Sequence, residues 1–186
     1  VHRRGTNLRR VDAVNQISRQ AEAGEITPEE ALRALEKIEH SLSFRPWQLC
    51  VAVAVSSGGF AVMFGGGVAD FLVGVVTAGL VQALTCLLGR YRLEGMVSTL
   101  VGSFFATLLP LLFYHFTHVG TVDACVAGAL MPLLPGLAMT NAVQDTMRGD
   151  IVSGVAHGMN AILTATLVAG GALIASSLYH VLMGGA

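Results

Sequence analysis

Charged residues are scarce in this sequence, and cationic ones almost vanish after its first quarter. Asp, Glu, Lys and Arg make up 12% of the 186 residues, against about 25% in ordinary soluble domains. After residue 45 the only Lys or Arg residues are Arg90, Arg92 and Arg148. Hydrophobic residues reach 53% and the mean hydropathy is +0.65. The composition therefore excludes an ordinary soluble domain and indicates a soluble segment followed by one embedded in lipid.

Motifs of several other protein classes are also missing. The formal net charge is −1 and the basic residues near the start alternate with Glu, so nothing favours nucleic-acid binding. Cys50, Cys86 and Cys125 lie in apolar stretches without CxxC spacing, and we interpret them as packing residues. GxSxG, HExxH and Walker patterns do not occur. We therefore predict a protein that is not an enzyme, holds no metal or cofactor, and does not itself drive transport with ATP.

Residues 1–45 carry the pattern of a helical hairpin. Apolar side chains recur at helical spacing over 6–23, which a glycine ends, and again over 28–42. Thr27 and Glu30 have the spacing of a capping box at the start of the second helix. The first residue is Val and no signal-peptide core follows it. We therefore expect the chain to begin inside a longer protein, with this hairpin as the remaining part of a larger cytoplasmic domain.

Five apolar segments follow in residues 46–186. A helix that crosses about 30 Å of hydrocarbon needs about 20 residues, and all but the fourth segment approach or exceed that length. The fourth has the length expected of a discontinuous helix completed by irregular backbone. The segments cover 46–64, 68–88, 95–116, 122–136 and 151–180. We predict an all-α polytopic membrane protein with five transmembrane helices, the fourth broken at a Pro-Gly motif and all preceded by the soluble hairpin.

The three remaining arginines indicate how these segments are oriented. Arg90 and Arg92 lie between the second and third segments and Arg148 between the fourth and fifth. The connections at 65–67 and 117–121 contain no Lys or Arg. Because positive residues favour the cytoplasmic side of a membrane, the pattern predicts five spans with the N-terminus in the cytoplasm and the C-terminus outside.

The stretch from Met131 to Asp150 is where the apolar pattern breaks and restarts with polar side chains. Pro132 and Pro135 each remove a backbone donor, and Gly136 allows the chain to leave a helix. Irregular backbone at membrane depth is tolerated only inside protein or along a wet cavity, and broken helices bind solutes in many transporters. We interpret the break as a solute site, with a capped interfacial loop as the alternative.

Polar residues beyond the break complete this predicted site. Thr140 and Asn141 are good N-cap types for a short helix over 142–147. Asp145 follows Asn141 by four residues and shares its helix face, and Arg148 is the nearest counter-charge on that helix. We predict that Asp145 binds an ammonium group or carries a coupling proton.

Other polar residues at the ends of the segments have simpler explanations. Asp70, Asp123 and Asp150 each start a segment, where a carboxylate complements the helix dipole. Asp150 also adjoins the break and stays a candidate for the site. His115 and His118 have the spacing of a metal pair, but no third ligand is near, and an interfacial belt is the favoured interpretation.

Two further groups stay open between a functional and a packing role. His157 is an ionisable group inside the fifth segment, where it serves either a proton relay or a hydrogen bond within the bundle. Gly154 and Gly158 beside it form a GxxxG pair, which favours a tight helix contact. Ser56 and Ser57 precede two glycines, so close helix packing and a local unwinding with a secondary solute site both remain open.

The sequence resembles the threonine/serine exporter family, specifically its N-terminal membrane half, over about residues 7–175. The segment PG-x-x-x-TNA-x-x-D, from Pro135 to Asp145, is the most specific part of the resemblance. RVDAVNQISR, GEITPEEA and FGGGVADF add to it. The resemblance implies export of small hydrophilic metabolites across a bacterial cytoplasmic membrane, namely threonine and serine in the founding type and C4-dicarboxylates such as succinate in a split two-protein type. The family core maps onto Pro135, Gly136, Thr140, Asn141, Asp145, Gly149 and Asp150.

We hypothesise that this chain is a transporter half that exports threonine- or serine-like amino acids, with Asp145 or His157 coupling the export to protons. The candidate substrate-binding residues are Pro135, Gly136, Thr140, Asn141, Asp145, Asp150, Ser56 and Ser57. The alternatives are a subunit of a C4-dicarboxylate exporter and a membrane scaffold that transports nothing.

The expected partners follow from the same hypothesis. They are a small-molecule substrate, the lipid bilayer, a second membrane half from the same gene or a separate small protein, and a further copy of the chain in a homo-oligomer. An odd number of spans gives a fused second half the opposite orientation, so we expect an inverted repeat around a midplane site.

Overall fold

The computed structural model describes residues 8–41, 46–90 and 95–184 of the chain. Every regular element within these residues is a helix, which confirms the all-α prediction. The helices are α1 (Leu8–Glu22), α2 (Pro28–Ser41), α3 (Pro46–Met63), α4 (Val68–Arg90), α5 (Gly95–Thr117), α6 (Val122–Leu130), α7 (Gly136–Met147) and α8 (Ile151–Met183), and a 3-10 turn (Met131–Leu133) follows α6. The chain divides into one compact unit up to Arg45 and another from Pro46.

The first unit contains α1 and α2, which pack against each other. Gly24 makes the turn between them in a left-handed conformation, with φ of 72°. The predicted capping box forms, because Thr27 N donates to Glu30 Oε2 at 2.8 Å and Glu30 N donates to Thr27 Oγ1 at 3.3 Å. The bond from the Thr27 backbone lowers the pKa of Glu30. Residues 6, 7 and 42 of the two predicted helices lie outside the described residues.

The second unit is a bundle of apolar helices. α4, α5 and α8 are each long and apolar enough to cross a membrane. α6 with its 3-10 turn and α7 form a pair bent by 55°, which adds a fourth candidate if the pair is one broken span. The apolar stretch of α3, Trp47–Met63, is shorter. The described residues therefore provide three to four candidate spans, and the predicted fifth depends on α3.

α3 packs closely against α4 and α6 through glycines. A Cβ atom at Gly128 of α6 would lie 2.7 Å from Ala61 N and from Ser57 O. Such contacts let the backbones of membrane helices approach closely. The buried Ser57 hydroxyl donates to Gly128 O at 2.9 Å across the same contact. α3 runs unbroken through Ser56, so the local unwinding considered for this stretch is wrong, and Ser57 takes part in the close helix packing.

One carboxylate joins two turns at the same end of this bundle. The buried Asp70 accepts hydrogen bonds from Gly67 N at 2.7 Å, Thr121 N at 2.8 Å and the Cys125 thiol at 3.1 Å. A Cβ atom at Gly120, whose φ is 94°, would collide with this carboxylate. The connections before α4 and before α6 therefore meet, as expected of two turns on one side of a membrane.

Candidate functional site

The break between α6 and α7 has a local covalent cause. Leu134 is extended, with φ of −70° and ψ of 139°, a conformation favoured for a residue that precedes a proline. Gly136 N then donates to Leu134 O at 2.9 Å, and α7 begins at Gly136. The break therefore lies at the Pro-Gly motif, where it was predicted.

The predicted start of the following helix is wrong. Thr140 and Asn141 are not N-caps but lie inside α7, and the Thr140 hydroxyl donates to Gly136 O at 3.0 Å. The reason is that nothing beyond Pro135 resists helix formation. Gly136 is not needed for an unusual backbone conformation, since its φ is not positive and an added Cβ atom would meet nothing within 4 Å.

α7 and α8 bring together the two proton-coupling candidates. Asp145 Oδ2 lies 2.8 Å from His157 Nδ1, and the side chains are 25% and 46% exposed. A proton on Nδ1 is donated to the carboxylate in this arrangement. The contact is an ion pair when His157 is protonated and a neutral-to-charged hydrogen bond when it is not.

Small residues set the register that makes this contact. A Cβ atom at the buried Gly154 would collide with the Thr146 hydroxyl and lie 3.1 Å from Ala142 O. Gly158, one turn later, faces the Ala142 methyl at 3.8 Å. The GxxxG pair therefore forms the tight helix contact considered for it, and this contact holds α8 with His157 opposite Asp145.

Arg148 does not neutralise Asp145. Within the described residues Asp145 forms its ion pair with His157, and Arg148 forms none. The i, i+3 pairing considered for Arg148 is therefore wrong, and Asp145 pairs with His157 of α8 instead. Arg148 instead lines an open groove on α7 together with Thr140 and Gln144.

Asp150 caps α8 beside the same pair. Its Oδ1 accepts from Ser153 N at 3.1 Å, so the capping interpretation is confirmed. That bond lowers the pKa of Asp150, and the charge of His157 contributes less in the same direction. Gly149 makes the turn before it with φ of 87°. Asp145, Asp150 and His157 thus lie around one turn between α7 and α8.

The other substrate-binding candidates lie elsewhere. Pro135 and Gly136 are at the opposite end of α7 from Asp145, about 14 Å away by the rise of a helix. Ser57 faces α6, and the exposed Ser56 donates to Val53 O at 2.9 Å within its own helix. The residues predicted as one site therefore occupy three places.

Two polar links were not predicted from the sequence. The Asp70 cluster joins residues 51 positions apart, and Tyr179 Oη lies 3.3 Å from His115 Nδ1 between α8 and α5. The position of Asp70, three residues after Gly67, indicates a helix cap. No local pattern indicates that Thr121 and Cys125 also donate to its carboxylate. The part of the chain that the structure describes has no group of three His, Cys, Asp or Glu suited to a metal ion.

Long apolar helices, glycine contacts and a polar pair between two helices define a multi-pass α-helical membrane protein. The family model described as "Putative threonine/serine exporter" matches residues 1–179. The chain therefore belongs to the threonine/serine exporter family, as the resemblance of its motifs indicated.

Individual relatives agree with this assignment. The chain is 28% identical to the threonine/serine exporter of Corynebacterium glutamicum, over 96% of this chain and 38% of that protein. It is 24% identical to the "Probable threonine/serine exporter" of Mycobacterium tuberculosis, over 91% of this chain and 32% of that protein. An uncharacterized protein of Schizosaccharomyces pombe is 27% identical over 94% of this chain and 22% of its own length. The chain thus spans well under half the length of these relatives. No solved structure matches it significantly.

Proposed function

We propose that this chain is one membrane half of a secondary transporter that exports threonine- or serine-like amino acids across the bacterial cytoplasmic membrane in exchange for protons. The names of its bacterial relatives support the direction and the class of substrate. The contact between Asp145 and His157 carries the mechanistic part of the proposal. Ionisable groups in membrane helices are expensive to bury and commonly mark transport and proton pathways.

The pair provides a simple form of exchange. A protonated His157 neutralises Asp145, whereas a neutral His157 leaves the negative charge uncompensated, so the ammonium group of an amino acid can displace its hydrogen bond to the carboxylate. Protonated His157 and the ammonium group of the substrate then compete for the Asp145 carboxylate. Antiport requires such exclusive binding of proton and substrate. Thr140, Asn141 and Asp150 would surround the bound solute.

The proposed topology has five spans, with the N-terminus in the cytoplasm and the C-terminus outside. The bent pair has two halves, each about 18 Å long, namely Val122–Leu133 and the 12 residues of α7. With the 55° bend between them, the start of the first half lies about 32 Å from the end of the second. That distance crosses a hydrocarbon core of about 30 Å. The 18 residues of α3 extend about 27 Å alongside α4.

The same arithmetic locates the pair near one membrane face. The 33 residues of α8 extend about 50 Å, which exceeds the hydrocarbon core. His157 is about 9 Å from the start of this helix. We place it at the inner mouth of the pathway, with Pro135 and Gly136 deeper along it. Ser56 and Ser57 remain secondary candidates on α3.

Exchange measured with the complete transporter in proteoliposomes tests this function. Asp145→Asn keeps the shape and removes the charge, so we expect it to abolish threonine counterflow or to remove its pH dependence. Asp123→Asn is the matched control, because Asp123 is exposed and has no side-chain partner in the described part of the chain. Near-normal, normally pH-dependent exchange by Asp145→Asn would contradict the role of the pair.

A panel of substrates separates the alternatives. Counterflow of succinate without threonine would favour a dicarboxylate exporter. Absence of flux for every amino acid and dicarboxylate, in a correctly folded complete protein, would favour a scaffold.

A further inference from the structure

α7 carries a second polar row, distinct from the one that faces α8. Thr140, Gln144 and Arg148 are spaced by four residues and therefore lie on one face of the helix. They line an open groove of about 790 Å³ together with Met139, Val143 and Met147. The groove is a shallow face of α7 alone, and it combines three apolar side chains with three polar ones.

This face is not used for packing within the described residues. Met139, Val143 and Met147 are 56%, 61% and 82% exposed. α8 instead contacts the opposite side of α7, where Gly154 meets Ala142 and Thr146. The groove is therefore open to a solute while the helix that forms it is held in place from behind.

The groove contains a permanent cation without a counter-charge. Arg148 is the one Lys or Arg in residues 95–184. Asp145, the acidic residue within reach on the same helix, is engaged by His157. In the described part of the chain the side chains of Arg148 and Gln144 have no hydrogen-bond or ionic partner. Both line the groove with N–H donors that no described residue occupies.

We propose that Arg148 and Gln144 form the subsite for the carboxylate of the transported solute. A guanidinium group binds a carboxylate through two parallel, charge-assisted hydrogen bonds, and the Gln144 amide adds a third donor. The Thr140 hydroxyl donates to Gly136 O, so its oxygen offers lone pairs rather than a proton to the groove.

The subsite also identifies the class of substrate, provided that the proposed transport function holds. Asp145 and Arg148 are three residues apart, so their Cβ atoms are about 5–6 Å from each other, yet they do not neutralise one another. A separated anion and cation at this distance match the ammonium and carboxylate groups of one α-amino acid. A dicarboxylate would satisfy Arg148 but would meet repulsion at Asp145.

Ligand-induced thermal stabilisation of the complete purified transporter tests this subsite without requiring flux. The probes are threonine, threoninamide, which lacks the carboxylate, and succinate. For the wild-type protein we compare the ligand concentrations that give half of the maximal rise in melting temperature. This concentration should be at least about tenfold lower for threonine than for threoninamide, the difference expected for charge-assisted hydrogen bonds. Arg148→Gln should bring the two concentrations together. Arg148→Lys should lie between them because its ammonium group lacks the planar fork.

The outcomes separate this inference from the proposed function. A wild-type preference for threonine that persists in Arg148→Gln, or an equal loss of both ligands, would overturn the subsite while leaving the transport function intact. Stabilisation of wild type by succinate alone, lost in Arg148→Gln, would keep the carboxylate subsite and overturn the amino-acid substrate. If no carboxylate stabilises the wild-type protein, both fail.

A labelling control covers the effect of Arg148 on membrane orientation. An impermeant thiol reagent should reach a cysteine at Val152 from the same side in wild type and in Arg148→Gln. Two results together would overturn the subsite: inverted labelling of Arg148→Gln, and threonine binding by Arg148→Lys equal to that of wild type. They would show that Arg148 acts through membrane topology alone.

Discussion

Single polar side chains fix the positions of helices that otherwise meet through small apolar residues. Asp70 is 3% exposed and accepts three hydrogen bonds from α6 and from the two turns before α4 and α6. A buried carboxylate that is fully hydrogen-bonded is stable, whereas one with a missing donor is costly. Asp70 therefore belongs to the framework of the bundle rather than to the proposed pathway.

Replacement of Asp70 should destabilise the bundle without changing the specificity for substrate. Asp70→Asn places an amide NH₂ where the carboxylate now accepts, so at least one N–H donor loses its partner and stability falls by about 1–3 kcal/mol. Thermal unfolding in detergent micelles measures the effect. Asp123 lies in the first turn of α6, as Asp70 does in α4, but its side chain is exposed. Asp123→Asn should therefore change stability by less than about 1 kcal/mol. Equal melting temperatures for the two variants would contradict this assignment.

The sequence allowed prediction of polar residues whose partners are local. The capping box of Thr27 and Glu30 and the cap from Asp150 to Ser153 join residues three positions apart, so spacing alone identifies them. The partners of Asp145 and Asp70 are 12 and 51 positions away. Such pairs depend on the register between helices, which glycine contacts determine and which a single sequence does not reveal.

At the scale of helices, glycines differ sharply in what they contribute. Gly128 brings α6 against the backbone of α3, whereas Gly136 at the start of α7 has open space around it. The break was predicted from Pro132, Pro135 and Gly136 together. The break lies at Pro135, which favours the extended conformation of Leu134, whereas Met131 stays helical before Pro132. The misplaced start of α7 came from giving the N-cap preference of Thr140 and Asn141 more weight than the position of Pro135.

Matched substitutions of these two glycines test the difference. Gly128→Ala should destabilise the bundle by about 1–3 kcal/mol, because its methyl group would lie 2.7 Å from backbone atoms that cannot move aside. Gly136→Ala should leave stability and expression unchanged or slightly improved, as alanine is the better helix former. Melting temperatures in micelles provide the comparison. A tolerated Gly128→Ala would mean that α3 and α6 are not in close contact.

Acid should weaken the capping box of Thr27 and Glu30 at the start of α2. The Thr27 backbone bond lowers the pKa of Glu30 below its ordinary value of 4.5. A lowered folded-state pKa gives stability that is present above the unfolded value and lost as the pH falls through the folded value. Amide protection of Thr27 should therefore persist at neutral pH and decline below pH 4.5. Glu30→Ala should remove the protection at neutral pH, whereas Glu29→Ala, which leaves the contact with Thr27 intact, should not. Protection that does not change with acid would contradict the role of the capping box.

The topology of the whole molecule depends on whether the bent α6–α7 pair crosses the membrane or returns to its own side. Asp70 holds the turns before α4 and α6 at one end of the bundle. The turn between α7 and α8 contains Arg148, which favours the opposite, cytoplasmic side. A bend of 55° leaves the two halves of the pair pointing in broadly the same direction, whereas a re-entrant segment needs nearly a full reversal.

Cysteine labelling of two valines that flank this pair decides the topology. Val119 and Val152 are 51% and 82% exposed, so each can be changed to cysteine without disturbing the core. We expect an impermeant reagent added to intact cells to label Val119→Cys but to reach Val152→Cys only after the membrane is opened. Gln16→Cys in the hairpin should behave like Val152→Cys, and the parent protein with its three native cysteines gives the background.

Opposite accessibility of the two valines means that α6–α7 is one span. With α3, α4, α5 and α8 this gives an odd number of crossings, so a second half of the same architecture joined after α8 must be inverted. Inverted halves enclose a site between them, and the groove on α7 then faces protein and water rather than lipid. Labelling of both valines from the same side would make the pair re-entrant and the number of crossings even. The two halves would then be parallel, and the proposed inverted repeat would fail.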